Sequence, residues 1–125
     1  MDHEVKVCVV DDDPLVRGLV RAILAEKGYE VLEAGDGEAG MRILERGAPD
    51  LLVTDIMMPN QDGIETIRAM KRDFPRTPIL AMSGSSDGTG ADFLAMARKL
   101  GADAHIKKPF EPAAFLERVE SLLNR

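Results

Sequence analysis

Apolar residues in this chain come in short blocks that alternate between two rhythms. The run VKVCVV (Val5 to Val10) is apolar and β-branched, which predicts a buried strand. Asp13-Pro14 then reads as a helix N-cap with proline at the first helical position. Leu15, Val16, Leu19, Val20 and Ile23 fall on one face of that helix, and Gly28 ends it. A second strand, YEVLEA (Tyr29 to Ala34), leads to a helix from Asp36 to Arg46, closed by Gly47. The third pair is DLLVT (Asp50 to Thr54) and a helix from Gly63 to Asp73, with Ile64, Ile67, Met70 and Phe74 along one side. PILAM (Pro78 to Met82) and a helix from Ala91 to Leu100, stopped by Gly101, form the fourth. DAHIK (Asp103 to Lys107) precedes a last helix from Pro112 to Leu123, whose apolar side is Phe115, Leu116, Val119, Leu122 and Leu123.

Strands alternating with helices predict an α/β fold: a doubly wound, five-stranded parallel sheet covered by helices on both faces, a flavodoxin-like three-layer sandwich. Strands one, three and four are nearly all apolar, as central strands should be. Strand two carries Glu30 and Glu33, and strand five carries His105 and Lys107, so these suit the edges. The order 2-1-3-4-5 satisfies both conditions. It puts the topological switch point between strands one and three, where ligands bind beyond the carboxyl ends of the strands.

Composition narrows the function. The 125 residues suffice for one domain spanning residues 1–125. A hydrophobic share of 45% and a charged share of 30% fit a globular chain. The net charge of −6 argues against direct nucleic-acid binding, which needs a basic face. No apolar run reaches the length of a membrane span, and MDHEVK is not a signal sequence. The single cysteine, Cys8, lies within a strand and reads as a buried thiol. A cytoplasmic protein without membrane insertion follows.

The strand ends carry the chemistry. Strand one ends in Asp11-Asp12-Asp13, strand three in Asp55, strand four in Ser83, and strand five in Lys108-Pro109. Asp13 is accounted for as a helix cap. Asp11, Asp12 and Asp55 are oxygen ligands crowded at one rim, which suits a hard cation such as Mg2+, with Mn2+ as a substitute. A cation bridging Asp12 and Asp55 leaves one oxygen of Asp55 to attack phosphorus. The ammonium of Lys108 and the hydroxyl of Ser83 can then stabilise a transferring phosphoryl group. A cis bond before Pro109 would point Lys108 inward, whereas strand alternation turns Lys107 away. Gly84 leaves room for the group.

The segments VCVVDDDP, LLVTDIMMPNQDG, ILAMSG and KKPF, in this order, resemble the response-regulator receiver domains of two-component signalling, especially the single-domain chemotaxis-type regulators. The resemblance covers essentially the whole chain. It implies that Asp55 is phosphorylated by a sensor histidine kinase or a phosphotransfer protein. It also implies that Asp12 is a direct metal ligand, that Asp11 acts through water, and that the backbone carbonyl of Met57 is a further ligand. Ser83 corresponds to the switch hydroxyl, Lys108 to the conserved-type lysine and Pro109 to its cis partner; Pro59 and Gly63 match the turn after strand three. Phosphorylation is then expected to switch the face of helix four, strand five and helix five towards a downstream protein target. The chain would act as a monomer or a weak phosphorylation-dependent dimer. Its only catalysis would be its own phosphorylation and dephosphorylation.

The chain departs from the pattern in two places. His105 stands where the family has its aromatic switch residue, and the segment GSSDGTG (Gly84 to Gly90) is longer than usual. Met57 and Ser85 offer no carboxylate or amide to orient a water, which predicts slow self-dephosphorylation. Two other readings compete. A haloacid-dehalogenase-like phosphatase would use the aspartates of strand one, but leaves LLVTDIMMPNQDG unexplained. An interaction module that takes no phosphate would be expected to lack one of these acids or the lysine. Met1 and the LLNR end suit a stand-alone protein.

Overall fold

β-Branched and apolar residues leave the middle of the sheet buried on both faces, and the helices fall where the period changes. The computed structural model describes residues 4–56, 63–84, 95, 98–99 and 101–124. In chain order the elements are β1 (Lys6–Val10), α1 (Pro14–Glu26), β2 (Glu30–Ala34), α2 (Gly37–Glu45), β3 (Leu51–Asp55), α3 (Gly63–Asp73), β4 (Ile79–Ser83), β5 (Ala104–Lys107) and a C-terminal helix (Pro112–Leu123). All strand pairs are parallel, and the five-stranded sheet has the order β2-β1-β3-β4-β5. Of the helix expected from Ala91 to Leu100, Ala95, Arg98 and Lys99 are described, each helical; the rest lies outside the described residues.

Strand alternation divides the core in two. Val7, Val9, Leu51, Val53, Leu80 and Met82 point to the side covered by α1 and the C-terminal helix, where they meet Leu24 and Phe115. Cys8, Val10, Leu52, Ile79 and Ala81 point to the side of α2 and α3, where they meet Leu44, Ile67 and Met70. Each fully buried Leu, Ile or Val contributes roughly 1.5–3 kcal/mol of transfer free energy. Gly40 lets α2 press close to the sheet: a Cβ there would lie 2.8 Å from Cγ2 of Val10, the last residue of β1.

The apolar face of α1 differs from the expected one. Its buried residues are Val20, Ile23 and Leu24, whereas Leu15 and Leu19 are 83% and 49% exposed. The sheet-facing stripe is Val16, Val20, Ile23 and Leu24, at the i, i+4, i+7, i+8 spacing of a helix. Leu15 and Leu19 each sit one residue, about 100°, off that stripe. In the C-terminal helix, Leu116 and Leu123 pack against the core while remaining partly exposed. β3 and β4 each run one residue further than expected, so Asp55 and Ser83 are strand residues. β4 begins after Pro78, which has no N–H to give to the ladder.

Candidate functional site

The strand register brings the candidate residues to a common level. Val10 pairs with Thr54, Asp55 with Met82, and Ser83 with Lys107. Beyond the ladder, the N–H of Asp11 donates to the carbonyl of Ala34 at 3.1 Å and the N–H of Lys108 to that of Ser83 at 2.7 Å. Asp11 and Lys108 are therefore fixed although each lies one residue past its strand. Asp13 caps α1 as expected, its Oδ1 accepting from the N–H of Leu15 at 2.9 Å.

The side chains meet. Nζ of Lys108 donates to Oδ2 of Asp11 at 2.7 Å and to Oδ2 of Asp55 at 3.2 Å. The Lys108-Pro109 bond is cis, and Lys107 is exposed. Asp11 is fully buried and Asp55 is 5% exposed. Burial works against the charge on Lys108, but the hydrogen bond to Asp11 and the attraction of both carboxylates outweigh it. The ammonium is held above the usual lysine range.

Asp12 is exposed, and one carboxylate oxygen from each of Asp11, Asp12 and Asp55 lies within 4.8 Å of the others. Such an all-oxygen, anionic donor set fits Mg2+ or Mn2+ rather than a softer metal. The hydroxyl of Ser83 is buried, with no hydrogen-bond partner among the described residues. A buried donor without a partner costs about 1–3 kcal/mol, so a ligand oxygen reaching it would recover that cost. A Cβ at Gly84 would stand 3.5 Å from Cδ of Lys108, at ordinary contact distance, so Gly84 lies directly against the lysine stem.

Asp11, Asp12, Asp55 and Lys108 are thus gathered as the sequence suggests. Ser83 ends the strand paired with Asp55, and Pro109 supplies the cis bond. His105 stands apart: it is partly buried on β5 opposite Ala81. Burial first, then repulsion by Arg98 and Arg118, lowers its pKa. Met57, Pro59, Ser85 and the segment 85–90 lie outside the described residues.

Sequence reasoning missed Arg17. Its Nη1 donates to the backbone carbonyl of Asp11 at 2.8 Å. It lies four residues after the cap Asp13, one helical turn on, which brings it back over the acidic turn. Also missed was an open cavity of about 420 Å³ beside Lys108, lined by Val16, Leu19, Gly84, Pro109 and Phe110 among others.

An open parallel sheet with an acidic cluster at its switch point defines the class: a doubly wound α/β domain with Asp11, Asp12, Asp55 and Lys108 gathered at the carboxyl ends of β1, β3 and β5. The family model for the response regulator receiver domain matches residues 7–120. The chain is 34% identical to the alkaline phosphatase synthesis transcriptional regulatory protein PhoP of Bacillus subtilis (strain 168), over 96% of this chain and 49% of that protein. To the transcriptional regulatory protein CpxR of Escherichia coli (strain K12) it is 32% identical, over 96% of this chain and 50% of that one. It therefore spans about half the length of these relatives. Among solved structures, a CheY-like response regulator receiver domain protein from Methanospirillum hungatei JF-1 superposes with a TM-score of 0.88 at 27% identity, covering 98% of this chain and 95% of that one. The receiver domain of NtrX from Brucella abortus gives 0.88 at 28%, covering 94% and 98%. The chain belongs to the response regulator receiver domain family, the signalling modules of two-component systems.

Proposed function

We propose that Asp55 accepts a phosphoryl group from a sensor histidine kinase or a phosphotransfer protein. The observation that carries this reading is the ammonium of Lys108 bonded to both Asp11 and Asp55; at the end of the adjoining strand stands the buried hydroxyl of Ser83, without a hydrogen-bond partner among the described residues. A carboxylate oxygen of Asp55 attacks phosphorus. The bond from phosphorus to the donor nitrogen breaks, the donor keeps the electron pair, and an acyl phosphate remains. Lys108 and Ser83 stabilise the charge on the phosphoryl oxygens.

Asp11, Asp12 and Asp55 would hold a divalent cation, Mg2+ or in its place Mn2+, together with the carbonyl of Met57. Bound there, it would offset the charge of the entering phosphate. The protein transforms no second substrate on this reading: it acts on itself, and its output is a changed surface near β5 and the C-terminal helix for a downstream protein.

Incubation with radiolabelled acetyl phosphate or phosphorylated histidine kinases, with and without MgCl2, tests this. The wild type should label at a single acid-stable, base-labile position, and Asp55→Asn should not label. An Asn variant that still takes up phosphate would sink the assignment.

A further inference from the structure

Among the described residues, every polar atom of Asp11 is held. Its N–H goes to Ala34 at 3.1 Å, its Oδ1 accepts from the N–H of Asp13 at 2.9 Å, and its Oδ2 accepts from Lys108 at 2.7 Å. The remaining atom, the main-chain carbonyl, accepts from Nη1 of Arg17 at 2.8 Å. That carbonyl belongs to the peptide plane joining Asp11 to Asp12, so the bond sets the direction in which Asp12 leaves the strand.

Arg17 is itself held from behind. Its Nε donates to Oε1 of Glu33 on the edge strand β2 at 3.4 Å. Oε2 of the same carboxylate faces Nη1 of Arg21 at 3.2 Å. The side chains of Arg17 and Glu33 retain only 24% and 28% of their exposure, so this is not a solvated surface pair. A guanidinium bonds a carbonyl and a carboxylate through separate nitrogens of a rigid planar fork, whereas a lysine offers a single nitrogen on a flexible stem.

We infer that Arg17, braced by Glu33, is a positioning residue: it orients the Asp11–Asp12 peptide so that the Asp12 carboxylate meets the cation. The inference rests on the reading of the acidic pocket as a divalent-cation site. Ligands rely on such supporting bonds for their aim, and loss of a supporting bond typically weakens metal binding by about tenfold or more.

Electrostatics makes the opposite prediction, which gives the test its power. Removing a positive charge near three carboxylates should tighten binding of a divalent cation. Removing a positioning bond should loosen it. The experiment is titration of the whole chain with MgCl2, followed by calorimetry and by amide NMR shifts of Asp11 to Asp13, for wild type, Arg17→Met and Arg17→Lys. Arg17→Met is expected to bind Mg2+ about tenfold more weakly. Arg17→Lys, which keeps the charge and disturbs the fold least, should fall between it and the wild type. Thermal melts without Mg2+ identify any variant that is unfolded, and the lysine variant then decides alone.

Mg2+ affinity equal to wild type in Arg17→Lys, or tighter binding in Arg17→Met, would overturn the inference and leave the cation site standing. A wild type that shows no Mg2+ binding would remove both.

Discussion

Lys108 places one positive charge between two buried carboxylates, so its removal leaves like charges facing each other out of water. The Lys108→Met variant should lose about 2 kcal/mol of stability in denaturant titrations at neutral pH without divalent cations. This lies below the full penalty for breaking a buried pair because the lysine side chain keeps 15% of its exposure. His105 gives a pH signature of defined sign. Its pKa in the folded state is below the ordinary 6.5. The unfolded chain therefore binds the proton more readily, and the contribution of His105 is complete above that value and lost as pH falls below it. Comparing wild type with His105→Asn from about pH 7 to about pH 5, the wild type should lose more stability on acidification. Parallel curves would show that folding leaves the proton affinity of His105 unchanged. At this scale the acids and Lys108 were legible because a strand end admits few positions and a cis proline narrows them further. Arg17 was not, because it acts on a main-chain carbonyl, and no residue-type pattern marks that.

At the scale of elements, the strands were legible from their apolar runs to within a residue, and the edges from their charges. The inward face of α1 was not. Its first half is apolar on two adjacent stripes, and only packing decides which meets the sheet. Leu15 and Leu19 are turned outward, and Leu19 borders the cavity beside Lys108. Lys108 also lines that cavity, so on the proposed function its apolar wall is where a protein phosphodonor would rest while its phosphoryl group meets Asp55. Leu19→Asp should then slow transfer from a phosphorylated protein about tenfold. It should leave labelling by acetyl phosphate unchanged and shift stability by no more than about 0.5 kcal/mol, since the site is half exposed. An equal loss with both donors would place the defect in the chemistry instead.

For the molecule as a whole, the alternation of strand and helix was enough to give the sheet order, because buried and edge strands differ in composition. The same architecture places Cys8 at the centre of β1, between Leu32 of β2 and Leu52 of β3. It is fully buried, and burial pushes its thiol up to about 12. A thiol reagent can reach it only when the sheet comes apart, so its rate of modification counts openings of the fold. A ligand that binds only the folded acidic pocket makes those openings rarer, by about tenfold for each tenfold rise in its concentration above the dissociation constant. Labelling of Cys8 should therefore slow as the pocket fills, a native clock for occupancy at a site the cysteine never touches.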